Sequence, residues 1–395
     1  MISCIHDLYD DRIYWKEALS LKKHGYEVYH ISVGPENKEF LSEHGIKLIL
    51  VRRTKYFNND YIDKLYHNLI PGKNVYKKIL KIAAGLKADV YHLHDLQVNR
   101  IGKKLKSLRH KPKVIYDVHE PYPPSIRYAH ATNILERLIK ILHSVYVYHW
   151  ELKCSKLYDF IITTEENVYH KFNDYIKNNK VDIIYNYTDL NLKNENKPFI
   201  NREYDVLYCG GITTIRGINQ IIETARIAKT KSRNLKFLIV GPVLERNLKT
   251  KIISLINEYQ LSKNVVLKDR VPYNRISTYY NNSKIGLAIF LDNPINHIIL
   301  PIKTFEYMAF GLPIVCSNFG HLLKYTTSNN TGITVNPHNP SEIYNAIVEI
   351  LDNKSVYEKY KNNCLKASNE KFDWNLMDRK LNNIYSGILN QGRSV

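Results

Sequence analysis

Asp205-Val206-Leu207-Tyr208-Cys209-Gly210-Gly211-Ile212-Thr213-Thr214-Ile215-Arg216-Gly217-Ile218 is the stretch on which the fold turns. It opens with a short, nearly continuous apolar run, passes through paired glycines and enters an amphipathic segment that extends from 218 to 230. A continuous apolar run is how a strand covered on both faces reads, whereas a strand with one wet face alternates. Strand, glycine turn and helix in that order form the repeating step of a parallel sheet clad in helices. The stretch therefore predicts an α/β domain with a doubly wound sheet.

The same pattern continues on both sides. Downstream, strands are expected at 237–240, 265–267, 285–290, 313–316 and 332–335, with helices between them such as 341–351. Upstream, the polar segment 189–198 reads as an interdomain linker. Before it, strands are expected at 2–6, 27–33, 47–51, 90–93, 114–118, 160–163 and 181–185, and amphipathic helices at 13–24, 75–86 and 134–152. Two such series in succession predict two doubly wound domains facing each other across a cleft. Their expected limits are 1–190 and 203–370, and 371–395 is expected to supply a last helix at 377–388.

With 395 residues, 44% of them apolar or aromatic and 24% charged, the chain can bury one or two substantial cores and is not disordered as a whole. Its richest apolar stretch, 138–150, is broken by Lys140, His143 and His149. It falls short of the roughly 20 residues that cross a bilayer. No basic leader or small-residue cleavage site precedes the first apolar run, so no export signal is expected. The five cysteines are far apart and form no CxxC pair. This argues against a disulfide framework and a zinc site, and fits a reduced cytoplasmic setting.

Lys plus Arg total 57 against 38 for Asp plus Glu, a balance of +19 that attracts anions. The densest cluster, Lys103, Lys104, Lys106, Arg109, Lys111 and Lys113, reads as a solvated helix face running into a loop, with a binding patch as the alternative. Zinc-finger spacing, RNP-like strings and heptad zippers are missing, so nucleic acid is not an expected partner. The mixture of Lys, His, aromatic and apolar residues over 137–150 suits either a peripheral membrane contact or an ordinary buried helix.

Ligands of open α/β sheets bind beyond the carboxyl ends of the strands. After 205–209, paired glycines permit close backbone approach, and Arg216 adds a charge beside a helix N-terminus. This combination suits a diphosphate, although an ordinary tight turn reads the same way. It is not G-x-G-x-x-G, and the first strand runs into His6-Asp7-Leu8-Tyr9-Asp10, so a dinucleotide dehydrogenase is disfavoured. In 300–313, Pro301 marks a helix start and Gly311 a stop, which sets Lys303 and Glu306 on one helical face. A cation in a first helical turn opposes the macrodipole unless an anion sits there too. Glu306 could then accept hydrogen bonds from ribose hydroxyls. The plainer reading is a local Lys–Glu pair on a wet face.

Asp117, His119, Glu120 and Pro121 cluster at another strand end, as do His92, His94 and Asp95. The two histidines lack a third ligand at recognisable metal spacing. Asp10 suits an N-cap of the first helix, and Arg12 could point into the cleft.

Taken together, these segments resemble the GT-B glycosyltransferases, specifically the family 4 enzymes of bacterial surface-polysaccharide synthesis. The similarity runs through Asp10-Asp11-Arg12-Ile13, Gly25-Tyr26-Glu27-Val28, Val90-Tyr91-His92-Leu93-His94 and Tyr116-Asp117-Val118-His119-Glu120. It continues through Tyr208-Cys209-Gly210-Gly211, Arg216-Gly217-Ile218, Leu238-Ile239-Val240-Gly241-Pro242, and 301–315, the most specific string.

The resemblance implies a nucleotide-diphosphate-sugar as co-substrate, no other cofactor, no catalytic metal and retention of anomeric configuration. The donor would lie on the C-terminal domain, near Gly210, Gly211, Gly241 and Pro242. Arg216 and Lys303 would take the diphosphate, Glu306 the ribose, and His119 would lie near the donor sugar. These four form the implied catalytic set. A lipid-linked saccharide acceptor would lie on the N-terminal domain, with Asp10, Arg12, His94 and Glu120 as cleft or acceptor residues. The last helix would return to the N-terminal domain, and the protein would work at the inner face of the cytoplasmic membrane.

Two positions depart from the family. Gly211 replaces an arginine common after the first glycine. Ile298, with His297 beside it, stands where the earlier of two spaced glutamates is usual, which leaves the sugar unassigned. A nucleotide-sugar 2-epimerase and a non-catalytic nucleotide-sugar-binding partner of an assembly complex are the rival readings.

Overall fold

Ile2 joins the chain's first sheet. In the computed structural model, which describes residues 1–53, 73–192 and 201–390, Ile2 bridges in parallel to Ile31 on one side and Leu93 on the other. Its N–H donates to the His92 carbonyl at 2.8 Å, and its carbonyl accepts from His94 N at 2.9 Å. The expected strand 2–6 shrinks to this bridge because the chain bends over residues 4–6, where the His6 N–H bonds to Ser3 Oγ at 3.2 Å. A hydroxyl that captures a backbone N–H diverts it from the ladder.

The described chain divides into two units, Met1–Asn186 with Asn375–Val395, and Tyr187–Trp374. The first contains β1 (Tyr29–Gly34), β2 (Lys38–Leu41), β3 (Lys47–Arg52), β4 (Val90–His94), β5 (Lys113–Val118), β6 (Phe160–Thr163) and β7 (Val181–Ile183). β1 pairs with β3 in parallel, and β4 to β7 pair in sequence order, also in parallel. β2 is antiparallel to β3 and was not anticipated. It lies at the sheet edge, mostly exposed, so it never needed the apolar run that marks a covered strand. Helix Trp374–Asn390 belongs chiefly to this unit. The Tyr385 hydroxyl meets His92 Nδ1 at 2.9 Å, and Asp378 meets His24 Nε2 at 2.8 Å.

The second unit contains β8 (Tyr204–Cys209), β9 (Phe237–Val240), β10 (Val265–Lys268), β11 (Ser283–Ala288), β12 (Ile314–Ser317) and β13 (Gly332–Val335). All pair in parallel in the order β10-β9-β8-β11-β12-β13. β9 and β12 are buried along their whole length. Helices Ile218–Thr230 and Pro340–Asp352 cover the sheet. The direction of winding reverses between β8 and β11, which makes their carboxyl ends the switch point where α/β sheets take ligands.

Helix Lys354–Lys371 was not anticipated. Its sequence is largely polar, and Tyr357, Cys364 and Ala367 are its chief buried anchors. Of the expected linker, Leu190–Leu192 form a single helical turn, and residues 193–198 lie outside the described residues, as do 391–395 of the last segment. No described helix is long and apolar enough to cross a membrane.

Candidate functional site

At the switch point of the second unit, backbone touches backbone. Gly210 and Gly241 end β8 and β9 at φ +132° and +145°, and a Cβ on Gly241 would lie 2.0 Å from the Gly210 carbonyl oxygen. Only glycine permits that approach. Pro242 continues the turn and accepts from Ile212 N at 2.9 Å. A Cβ at Gly211 would meet Arg216 Nη1 at 2.8 Å, so the guanidinium occupies the space beside that glycine. Glu245 ties the turn down by accepting from Thr214 N at 2.7 Å and Thr214 Oγ1 at 2.6 Å.

Helix Ile302–Ala309 brings the second cation. Gly311, at φ +62°, stops the helix, with Leu312 N bonded to the Tyr307 carbonyl and Gly311 N to the Met308 carbonyl. This is a Schellman closure. At the other end, Lys303 is 7% exposed. Its Nζ lies 3.7 Å from the Tyr208 ring centre and 5.2 Å from that of Phe290, and the Arg216 guanidinium lies 5.9 Å from the same Phe290 ring. Among the described residues Lys303 Nζ makes no hydrogen bond. Burial, and then the neighbouring Arg216 charge, lower its pKa to about 7. A buried ammonium without a partner is costly, and an anion held by both cations would offset the cost. Glu306 Oε2 accepts from the Tyr280 hydroxyl at 2.6 Å. The His297 ring stacks on Phe319 and meets Asp292 at 2.7 Å, while Ile298 ends helix Pro294–Ile298 without a carboxylate.

In the first unit the titratable residues gather at the carboxyl ends of β4 and β5 and of the Ile2 segment. Asp117 is fully buried. Burial opposes its charge, yet Arg12 and His119 outweigh burial and hold it well below the usual carboxylate range. Arg12 turns into the interior of the first unit. It is buried, with Nη2 3.1 Å from Asp117, 2.9 Å from Glu17, and Nη1 2.9 Å from the Ile184 carbonyl. Asp10 caps the first helix by accepting from Arg12 N and Ile13 N, both at 3.0 Å. His94 is buried with Nδ1 3.2 Å from His119 Nε2, whereas Glu120 is exposed.

Donor atoms of Glu17, His92, His94 and Asp117 come within 4.8 Å of one another, as do those of His6, Asp95 and His119. Arg12 already lies against both carboxylates of the first group; it helps hold Asp117 ionised, while burial pushes Glu17 well above the usual carboxylate range. Sequence reasoning missed Glu17 and His6 as members of these clusters. Glu17 joins because the first helical turn bonds i to i+5, with Glu17 N on the Arg12 carbonyl, a spacing that ordinary helical periodicity does not reveal. The signal for His6 was its position at the end of the first apolar run.

Helix Ile134–Ser155 is not an ordinary buried helix. Ser144, Val147, Glu151, Leu152 and Ser155 face inward. Leu135, Leu138, Ile139, Leu142 and Tyr146 form an exposed apolar face, with Leu142 70% exposed. In the basic cluster, Lys106 pairs with Asp159 at 2.6 Å and Lys113 lies 3.9 Å from it, while Lys103, Lys104, Arg109 and Lys111 are exposed.

Residues 15–192 match the model of Glycosyltransferase Family 4, and residues 191–367 match that of glycosyl transferases group 1. An uncharacterized glycosyltransferase of Methanocaldococcus jannaschii is 25% identical over 93% of this chain and 91% of its own. Sucrose-phosphate synthase from Thermosynechococcus elongatus superimposes with a TM-score of 0.72 at 18% identity, over 95% of this chain and 92% of that one. Anabaena HepE, solved in complex with UDP-glucose, superimposes with a TM-score of 0.68 at 13% identity, over 98% and 99% of the two chains.

Proposed function

This chain is a GT-B glycosyltransferase of the family 4 kind, with two Rossmann-like units, and on that premise we propose that it moves a sugar from a nucleotide-diphosphate-sugar to a lipid-linked saccharide with retention of configuration. The observation that carries the reading is the buried Lys303 ammonium, without a hydrogen-bond partner among the described residues, beside Arg216 at a glycine turn. In transfer, the bond from the anomeric carbon to the diphosphate breaks and a bond to the acceptor oxygen forms on the same face. The departing phosphate takes the acceptor proton, so no protein nucleophile is required. Arg216 and Lys303 bear the charge that grows on the diphosphate, and one well-placed donor to a developing anion is worth roughly 3–4 kcal/mol. Glu306 takes the ribose, and His119 contacts the transferred sugar.

The exposed apolar face of helix Ile134–Ser155 supports a peripheral position at an anionic membrane surface, where a lipid-linked acceptor would be presented. The proposed working place is the inner face of the cytoplasmic membrane. HepE's complex with UDP-glucose supports a uridine donor as the first to try.

The test is a donor screen by thermal shift, followed by transfer to lipid-linked acceptors and NMR of the product's anomeric centre. Lys303→Ala and Arg216→Ala should each lower turnover by about 100-fold or more while remaining folded. Near-normal transfer by both would remove the assignment. Donor binding without transfer to any acceptor would favour a binding partner, and conversion of donor alone would favour an epimerase.

A further inference from the structure

We propose that Asp95 is a positioning residue that sets the orientation of the His119 imidazole, with His6 as the clamp on its other side. The inference rests on the preceding function only in giving His119 a contact to the transferred sugar.

Asp95 follows β4 with φ 73° and ψ 168°, a conformation that favours glycine, yet it carries a side chain and is fully buried. Such strain persists where the surroundings hold it and a purpose offsets it. Its backbone N–H is anchored on the Asp117 carbonyl at 2.9 Å, so the end of β4 is fastened to the end of β5. This conformation aims the carboxylate at two rings. Asp95 Oδ2 accepts from His6 Nε2 and lies 3.6 Å from His119 Nδ1. The two rings are 4.9 Å apart between centres.

Neither ring is left to rotate. His119 has Asp95 beside Nδ1, and His94 Nδ1 at 3.2 Å and Asp117 Oδ2 at 3.4 Å beside Nε2. His6 has a carboxylate at each nitrogen, Asp95 at Nε2 and Asp10 at Nδ1, the latter at 2.9 Å. Burial lowers its pKa, but the two carboxylates win and raise it to about 11, so His6 is a fixed cation and not a base. The Tyr122 hydroxyl also approaches Asp95. The ring of His119 is therefore set by neighbouring strand ends before any ligand arrives, the kind of preorganisation on which orientation-dependent rates depend.

Two substitutions separate positioning from plain structure. Asp95→Asn keeps the shape and removes the charge. Asp95→Gly removes the carboxylate and relieves the backbone. The full chain, labelled with 15N in histidine, is recorded in the free state by long-range imidazole NMR, and His119→Gln identifies the His119 signals.

In both Asp95 variants the His119 ring nitrogens should shift. Turnover should fall by about 100-fold in both while donor KM stays within about twofold. Unmoved His119 signals, or full turnover in Asp95→Gly, would overturn the proposal. If Asp95→Gly does not fold, Asp95→Asn decides by the same readouts. If the wild-type protein transfers no sugar, the functional reading fails, and the ring spectra still decide whether Asp95 places His119.

Discussion

Lys303 stands where a lysine is least comfortable. It lies in the first turn of a helix, is buried, and has the Arg216 charge acting against its own. Its pKa of about 7 when folded is below the ordinary lysine value of 10.5. Between those values the unfolded chain binds more protons than the native one, so this residue makes stability rise with pH over that window. Below about pH 7 the buried charge imposes its full cost. Lys303→Met should therefore raise the melting temperature most near pH 6, with the gain shrinking toward pH 9 as the wild-type lysine neutralises. A pH-independent difference between the two melting curves would contradict this. The same residue should report its ligand. A nucleoside diphosphate restores the positive charge, so binding at about pH 8.5 should take up close to one proton. Titration calorimetry in buffers of different ionisation enthalpy measures this directly, and identical enthalpies in all buffers would count against a diphosphate on Lys303.

Helix Ile134–Ser155 shows what an element can do that its residues cannot do singly. Its exposed apolar residues recur at helical spacing on one face, while Glu151 on the other face accepts from the buried Tyr116 hydroxyl at 2.6 Å. Each of the larger side chains would gain about 1.5–3 kcal/mol on complete burial. The basic cluster runs up to Lys113, the first residue of β5, whereas the exposed apolar residues lie in the first half of a helix that begins beyond the carboxyl end of β5, so the two lie toward opposite ends of that strand. Flotation with anionic vesicles should therefore depend on the helix more than on the cluster. Leu135→Glu with Leu142→Glu should abolish flotation and leave the melting temperature within a degree or so, since both side chains are already exposed. Flotation equal to wild type would end the membrane reading.

At the scale of the whole molecule, the chain leaves its first unit at Asn186 and returns to it at Asn375. The returning helix is held by Tyr385 at His92, Asp378 at His24, and Lys380 at Asp182. Tyr385→Ala should cost about 3 kcal/mol by removing a buried ring. In urea the loss should fall on the first unit's transition and spare the second. An unchanged first transition would show that the helix contributes little there.

Much of the fold was legible because parallel strands must be covered on both faces, and continuous apolar runs such as 237–240 and 314–316 announce that cover. Strand β2 and helix Lys354–Lys371 were not, because an edge strand and a largely polar helix bury too little to leave a pattern. Gly210 could be read as a turn, Gly311 as a helix stop, Arg216 as a charge beside a helix start and Lys303 as a cation in a first helical turn, from local order alone. The orphaned state of the Lys303 ammonium, the inward turn of Arg12 and the strained backbone of Asp95 could not. Local sequence sets periodicity and turn sterics, whereas the electrostatic character of a buried group depends on which atoms, distant along the chain, are packed within a few ångströms of it.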